Sequence, residues 1–430
     1  MEKTYIAYGN ADKKIDDSEL EELFSDALAN ALSDIKISGS VIIVPPDITR
    51  LPSRAGLLTE IAAKQLTDRL GLVLPALGTH MAMKDGEISR MFGKTPKDKF
   101  GIHDWRNDIT ELGRLEAEWV EKTTEGAVCY DWPVQINKLL RVDGPGSGGF
   151  SLIISIGQVV PHEVAGMANH AKNIFVGLGG KEAIDKSHFA GAAYGMERIM
   201  GRTDNPVRSL FDEGMFRFEN LMPPVLWVLT VIGTEKDGST VTHGLFIGFG
   251  RECFEKAASL SRKINVNHVN EQVNKVVVYL EPDEYRTTWL GNKAIYRTRM
   301  AMADGGEILI LAPALERFGE DVEVDRLIRK YGYRSREEII SMVKTDKELA
   351  DNLSIAAHLI HGSSEGRFSV RYCPGEKLSR NETESAGFQW GDLKEARKRY
   401  DINKLSAGWN TPADGEKIYF VPNPALVLLV

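Results

Sequence analysis

The chain has 430 residues, of which 43% are hydrophobic and 27% are charged, and its formal net charge at pH 7 is −8. This length predicts two or three domains rather than one core. The acidic balance argues against non-specific nucleic-acid binding, which needs a dense basic surface. Cys129, Cys253 and Cys373 are too far apart for a disulfide framework or a thiolate zinc site, and they fit a reducing compartment. With no signal peptide and no apolar run of about 20 residues, we expect a cytoplasmic protein without a membrane partner.

Strands and helices alternate along the first part of the chain. Apolar runs predict strands over residues 4–8, 41–44, 72–77, 152–156, 226–232 and 240–247. Helical spacing predicts helices from Ser18, where Glu21 completes a capping box, and over residues 53–70, 87–92, 189–200 and 253–265. Residues 99–150 give only weak signals.

A polar, asparagine-rich stretch over residues 265–274 predicts a domain boundary, which we place between residues 267 and 268. Beyond it we predict strands over residues 276–280, 308–312, 368–373 and 418–421, interleaved with helices. This alternation predicts an α/β protein of two domains, 1–267 and 268–430, with largely parallel sheets. Such sheets bind ligands outside the carboxyl ends of their strands.

Polar residues follow the ends of three predicted strands. Asp47 and Arg50 follow the second strand, His80 the third and His162 the fourth, so one edge of the sheet would bring them together. The arginine suits a carboxylate or a phosphate. The two histidines suit acid/base work, and two such groups favour a reaction at either face of a carbon. Ordinary surface loops remain the alternative.

Further candidates follow His162 in the chain. Lys172 could be a charge partner or a covalent attachment point. His188 could bind a metal, although a single histidine is a weak signal, and His170 could bind or cap. The run GPGSGG at residues 144–149 has the letters of a dinucleotide fingerprint, but it precedes a strand instead of following one, so we reject that interpretation.

Three motifs resemble the lactate racemase family, whose members use a nickel-pincer nucleotide. The loop PDITRLPS matches with Asp47, Ile48, Thr49 and Arg50, and LGTH matches with His80. The PHEVAG segment, followed at the family's intervals by a lysine and a histidine, matches with His162, Lys172 and His188.

The resemblance implies an isomerase, a racemase or epimerase that inverts C2 of a 2-hydroxy acid by proton-coupled hydride transfer. The cofactor, a pyridinium nucleotide holding nickel through sulfur and carbon, would be attached covalently to Lys172, and His188 would be the protein ligand to nickel. His80 and His162 would be the catalytic acid/base pair. Residues 47–50 would contact the cofactor, with Arg50 alternatively anchoring the substrate carboxylate. The first domain would hold the cofactor, the second would complete the substrate pocket from across a cleft, and maturation enzymes would supply the cofactor.

The chain also departs from the family. Ala168-Asn169-His170 replaces a Ser-Gly-Gly run, and the resemblance gives Asn169 and His170 no role. Trp289 and Leu290 stand where lactate racemases carry Tyr and Gln, beside the matching Lys293, so these three would line a pocket for a different or larger 2-hydroxy acid. The alternatives are a sugar-acid (gluconate-type) 2-epimerase, a non-catalytic protein that binds the nickel nucleotide or an organic anion, and a hydrolase or isomerase without nickel.

Overall fold

The structure is a computed structural model, which describes residues 2–35, 37, 39–235, 239–426 and 428–430. Contacts divide the chain into two compact units, Met1–Ala190 with Arg198–Ile264, and Gly191–Glu197 with Asn265–Val430. The predicted ranges 1–267 and 268–430 did not anticipate that Gly191–Glu197 groups with the second unit. Within the described residues, no helix is both long enough and apolar enough to span a bilayer.

The first unit contains strands β1 to β10 and helices α1 to α8, except that the end of α6 from Gly191 onward groups with the second unit. The strands are β1 (Lys3–Gly9), β2 (Ser40–Val44), β3 (Leu70–Val73), β4 (Ile109–Leu115), β5 (Trp132–Asn137), β6 (Phe150–Gln158), β7 (Pro161–His162), β8 (Gly166–Met167), β9 (Val225–Thr234) and β10 (Thr240–Phe249). The helices are α1 (Asp17–Ile35), α2 (Ala55–Leu66), α3 (Asp85–Phe92), α4 (Ala117–Thr123), α5 (Ala171–Phe175), α6 (Lys181–Tyr194), α7 (Pro206–Phe218) and α8 (Glu252–Asn265). Short 3-10 helices cover Ile48–Ser53, Thr67–Arg69, Lys97–Lys99, Lys138–Leu140, Met196–Arg198 and Glu219–Leu221.

The main sheet of this unit has the order β1-β10-β9-β6-β2-β3, with β9, β6, β2 and β3 parallel and the other pairs antiparallel. Its central strands β2 and β6 are almost wholly apolar and buried. A strand covered on both faces needs such a continuous apolar run instead of alternation. Helices α1 and α2 pack on β2, β3 and β6 in one buried apolar cluster.

Local details differ from the sequence predictions at two helices. Helix α1 is capped by Asp16, whose carboxylate accepts the Glu19 N–H at 2.8 Å, and the predicted box with Ser18 is wrong. The helix predicted over residues 189–200 is α6, which begins at Lys181 and ends before Gly195 with its φ of 110°. The stretch before residue 189 is mostly polar, which hid the helix start.

Residues 99–150, where the sequence signals were weak, form an antiparallel pair of strands, β4 and β5, with α4 between them. The glycine-rich run at 144–149 is a turn that leads into β6, with Gly144, Gly146 and Gly149 at positive φ. It does not open a helix, in agreement with the rejection of a dinucleotide-binding turn.

The second unit contains strands β11 to β18 and helices α9 to α16. The strands are β11 (Val266–Asn267), β12 (Val273–Tyr279), β13 (Met302–Ala312), β14 (Ser369–Pro374), β15 (Gln389–Trp390), β16 (Gly408–Asn410), β17 (Ile418–Val421) and β18 (Leu428–Leu429). The helices are α9 (Thr288–Gly291), α10 (Lys293–Tyr296), α11 (Val322–Tyr331), α12 (Arg336–Thr345), α13 (Lys347–Ala350), α14 (Leu353–His361), α15 (Arg380–Ser385) and α16 (Leu393–Arg399), with a 3-10 helix at Pro424–Leu426.

Its sheet has the order β15-β14-β13-β12-β17-β16, and every neighbouring pair is parallel except β16 with β17. The four strands predicted for this part of the chain form its centre. The two sheets confirm the predicted fold class, a mixed α/β protein with largely parallel sheets.

Candidate active site

The candidate residues of the first unit lie beyond the carboxyl ends of three adjacent parallel strands. In the sheet, β6 neighbours β2 and β2 neighbours β3. Asp47 follows β2, His80 follows β3, and His162 lies in β7 directly after β6. Parallel strands of one sheet present their carboxyl ends at the same edge, so the three loops share one rim.

Asp47 connects the first two loops. Its Oδ2 lies 2.6 Å from His80 Nδ1, and its Oδ1 accepts the Thr49 backbone N–H at 3.1 Å. The carboxyl is buried, which by itself raises its pKa, but the hydrogen bonds from His80 and Thr49 outweigh burial and hold the pKa below its ordinary value. An ionised Asp47 only accepts hydrogen bonds, so Nδ1 of His80 is the donor and Nε2 is left to exchange a proton.

Arg50 and Ile48 lie in the 3-10 helix that follows Asp47. The Arg50 N–H closes its first turn on the Asp47 carbonyl at 3.0 Å. Ile48 is half-buried, and its side chain packs against the apolar cluster under the sheet. The guanidinium of Arg50 is close enough to Lys172 and His162 to lower the pKa of both. Arg50 therefore brings positive charge to the third loop.

His162 is buried and held in one tautomer. Its Nδ1 accepts the backbone N–H groups of Val164 at 3.1 Å and Ala165 at 3.4 Å. Burial lowers its pKa well below the ordinary value; the carboxylate of Glu163 opposes this, while nearby positive charge adds to it. A neutral imidazole whose Nδ1 accepts must carry its proton on Nε2. His162 thus presents an N–H group at Nε2.

Lys172 lies in the short helix α5, which is tied to the same sheet edge. The neighbouring Asn173 donates from Nδ2 to Ser155 Oγ at 2.9 Å and to the Val44 carbonyl at 3.3 Å, at the ends of β6 and β2. Burial and the charge of Arg50 lower the pKa of Lys172 to about 8. An amine with such a pKa has a substantial neutral, nucleophilic fraction near neutral pH.

His188 lies inside helix α6, one turn after Ile184. Its Nδ1 donates to the Ile184 carbonyl at 2.7 Å, which fixes the tautomer and leaves the lone pair on Nε2. Burial lowers its pKa, and the charge of Lys172 lowers it further, so the ring is neutral at pH 7. A neutral imidazole whose other nitrogen is fixed by a hydrogen bond is the usual form of a metal ligand.

The electrostatic effects link Lys172, His162 and His188 as one group, in which His162 is buried and the other two are half-buried. The charge of Lys172 acts on both imidazoles, and the carboxylate of Glu163 acts on all three residues. Sequence reasoning did not single out Glu163, although it directly follows His162. It supplies negative charge that opposes the positive charges of Lys172 and Arg50.

Arg208 is the other residue that sequence reasoning missed. It is fully buried on α7, and its guanidinium donates to backbone carbonyls of the loop between His162 and Lys172. Since those partners are carbonyl groups of residues about 40 positions away, no side-chain pattern in the sequence points to them.

Trp289, Leu290 and Lys293 lie in the second unit, on α9 and α10, and each is partly exposed. The indole of Trp289 stacks on the imidazole of His358, with ring centroids 4.2 Å apart. The ammonium of Lys293 lies 5.7 Å from the Tyr285 ring centroid. Their predicted contact with substrate stays a prediction.

Across the part of the chain that the structure describes, no group of three or more His, Cys, Asp and Glu side chains could hold a metal ion. Among these residues His188 would be a single protein ligand to a metal, and the charge of the Lys172 amine acts on it. This donor set fits a metal whose other ligands come from an organic group held at Lys172.

Comparison with known proteins gives a family-model match and several similar solved structures. The family model of the lactate racemase N-terminal domain matches residues 10–198. A crystal structure of a protein from Thermotoga maritima is 25% identical, covers 95% of this chain and 98% of its own, and superposes with a TM-score of 0.78. The lactate racemase apoprotein from Thermoanaerobacterium thermosaccharolyticum is 18% identical, with 99% and 94% coverage and a TM-score of 0.69, a likeness of fold. Curated protein sequences give no match.

Proposed function

The chain belongs to the lactate racemase family through its N-terminal domain, and we propose that it is an isomerase that inverts C2 of a 2-hydroxy acid. The observation that carries the proposal is the electrostatically linked group of Lys172, His162 and His188 at the carboxyl edge of the sheet. One residue of this group is a nucleophilic amine, one a hydrogen-bond donor and one a lone-pair donor. A racemase of this family needs these three roles at one place.

Lys172 and His188 are the residues that would hold the nickel-pincer nucleotide. The amine of Lys172, with its pKa lowered to about 8, suits covalent attachment, and Nε2 of His188 suits a bond to nickel. When bound, the nucleotide would accept hydride from C2 of the substrate and return it. Asp47, Ile48, Thr49 and Arg50 would contact the nucleotide from the neighbouring loop.

His80 and His162 would handle the proton of the substrate hydroxyl. Because Asp47 accepts from Nδ1 of His80, Nε2 of that ring can take the proton as a base. Because the amides after His162 donate to its Nδ1, that ring donates from Nε2 to a substrate oxygen. The pair is therefore unequal in the resting protein: His80 can take up the hydroxyl proton at Nε2 and return it, while His162 holds a substrate oxygen through a hydrogen bond from its Nε2–H.

Instead of contacting the nucleotide, Arg50 could bind the substrate carboxylate. Its planar guanidinium matches a carboxylate through two parallel hydrogen bonds. Trp289, Leu290 and Lys293 would complete the substrate pocket. An indole and a leucine favour a substrate with more carbon beyond C2 than lactate has. The proposed substrate is therefore a different or larger 2-hydroxy acid.

The test uses protein produced together with the maturation enzymes of the cofactor. Intact mass and metal analysis should show an adduct on Lys172 and bound nickel, and Lys172→Met should lack the adduct while Lys181→Met, an exposed lysine nearby, retains it. Unmodified protein with full isomerase activity would contradict the role of the nucleotide and favour a nickel-free enzyme.

A panel of 2-hydroxy acids, from lactate to aryl-substituted acids and gluconate, then identifies the substrate. In deuterated water, hydride transfer returns the original hydrogen to C2, so the inverted product should carry no deuterium there. Deuterium at C2 would contradict the mechanism, and exclusive activity on lactate would contradict the larger substrate. A preference for gluconate would identify a sugar-acid epimerase of the same chemistry, whereas loaded protein inactive on every acid would be a binding protein.

A further inference from the structure

Arg208 makes an unusual set of hydrogen bonds for a buried arginine. Its Nη1 donates to the Asn169 carbonyl at 3.2 Å, and its Nη2 donates to the Met167 carbonyl and, at 3.5 Å, to the Ala165 carbonyl. All three acceptors are backbone groups of the segment between His162 and Lys172. One rigid group thus fixes three alternate residues of that segment.

The same segment contains two consecutive residues, neither of them glycine, with positive φ. Asn169 has a φ of 68°, and His170 has a φ of 55° with a ψ of −141°. For residues other than glycine such backbone conformations cost roughly 1–3 kcal/mol each, so the surrounding structure must hold them. The Asn169 side chain accepts the His170 N–H at 2.7 Å. Helix α5 begins directly after His170, and Lys172 is its second residue. The direction in which the amine leaves the backbone therefore depends on this strained pair.

A stack of four side chains holds the strained pair in place. The His170 imidazole lies between Trp227, with centroids 4.3 Å apart, and Phe254, with centroids 4.9 Å apart. The guanidinium of Arg208 lies 4.5 Å from the Phe254 centroid. Cation–π attraction in such a dry site favours the charged guanidinium. Arg208 thus holds the segment both through its carbonyls and through the ring stack.

The charge of Arg208 also reaches Lys172. Burial lowers the pKa of Arg208 to about 9, so the guanidinium remains charged at neutral pH. That charge is one of the causes that lower the pKa of Lys172.

We propose that Arg208 is a positioning residue for Lys172, which fixes the carbonyls of residues 165–169 and keeps the neighbouring amine reactive. The attachment of a cofactor to Lys172 rests on the proposed function, but the effect of Arg208 on the Lys172 amine does not. Arg208 itself touches neither substrate nor cofactor in this proposal.

The test measures the apoprotein, whose lysines are labelled competitively with acetic anhydride across pH 6.5–10 and quantified by peptide mass spectrometry. Amide hydrogen exchange of the 163–172 peptide reports the backbone. In Arg208→Met we expect the apparent pKa of Lys172 to rise, its labelling at pH 7.5 to fall about three- to tenfold, and the peptide to exchange faster. Arg208→Lys keeps a charge but cannot reach three carbonyls, so it should restore most of the labelling while exchange stays fast.

The matched control is Arg299→Met in the second unit. Arg299 is equally buried and also donates to backbone carbonyls, those of Ser363 and His361. Its loss should destabilise the protein without changing Lys172 labelling.

Wild-type labelling and exchange in Arg208→Met would overturn the proposal, as would equal changes in Arg299→Met. If Arg208→Met does not fold, Arg208→Lys provides the test. Wild-type amide exchange of the 163–172 peptide in Arg208→Lys would show that the three carbonyl hydrogen bonds are not needed, and it would overturn the proposal. A protein that never takes up the cofactor but shows the expected labelling would overturn the proposed function alone.

Discussion

Asp47 and His80 form a pair in which a buried carboxylate orients an exposed imidazole. Their Oδ2 and Nδ1 atoms are 2.6 Å apart, and the exposed fractions of the two side chains are 6% and 54%. The Thr49 backbone N–H fixes the Asp47 carboxylate. Because Nδ1 of His80 is bound to Asp47, Nε2 is the nitrogen left for another partner. A carboxylate that holds an imidazole in one tautomer suits the role of general base that is proposed for His80.

Asp47→Asn should therefore reduce turnover without preventing folding. The amide lacks the negative charge that holds the Nδ1 proton, so the wrong tautomer becomes accessible, and we expect kcat to fall about 10²- to 10⁴-fold. The measurement is kcat of the matured enzyme, with nickel content as a check on loading. Asp104→Asn, a change in a half-buried loop carboxylate, should leave kcat unchanged. A loss of less than twofold in Asp47→Asn would show that turnover does not depend on Asp47 holding His80 in one tautomer.

His188→Ala should separate nickel binding from attachment of the organic group. The variant loses the Nε2 ligand but keeps Lys172, so we expect the mass adduct to remain while bound nickel falls roughly tenfold or more. Metal analysis beside intact mass measures both. The exposed His268→Ala is the control and should keep both. Full nickel content in His188→Ala would remove this residue from the metal site.

The position of the site could be predicted from the sequence, but the groups that hold it could not. Asp47, His80 and His162 follow strand ends, and strand ends are visible as apolar runs followed by polar loops. Arg208 was invisible because its partners are backbone carbonyls, which leave no mark in the side-chain pattern. The start of α6 was missed because its first turns are polar, so His188 was expected ahead of a helix and lies inside one.

The apoprotein should lose stability in mild acid through His170. Burial lowers the pKa of His170 well below its ordinary value, as do the charges of Arg208 and Arg251, while the Gly250 carbonyl opposes them. The unfolded chain therefore binds a proton as pH falls below about 6.5, and the folded chain does not, so stability is full above that pH and falls below it by up to about 1.4 kcal/mol per pH unit.

His170→Asn removes this titration, so its free energy of unfolding should fall less between pH 7 and pH 5. Urea unfolding at several pH values measures the difference, and His268→Asn should keep the wild-type dependence. An unchanged slope in His170→Asn would mean that the ring is protonated in the folded protein.

At position 170, glycine should give a more stable protein than alanine, which is the reverse of the usual order. Both substitutions remove the imidazole from between Trp227 and Phe254, so both lose the same ring contacts. Alanine retains the cost of the positive φ, roughly 1–3 kcal/mol, whereas glycine avoids it at the expense of about 0.4–1 kcal/mol from a more flexible unfolded chain. His170→Gly should therefore be the more stable variant by about 1 kcal/mol in urea unfolding. At His268, which has no positive φ, alanine should be the more stable residue. If His170→Ala is instead the more stable variant, the backbone at position 170 must relax once the imidazole is removed. The ring contacts with Trp227 and Phe254 would then be what imposes the positive φ.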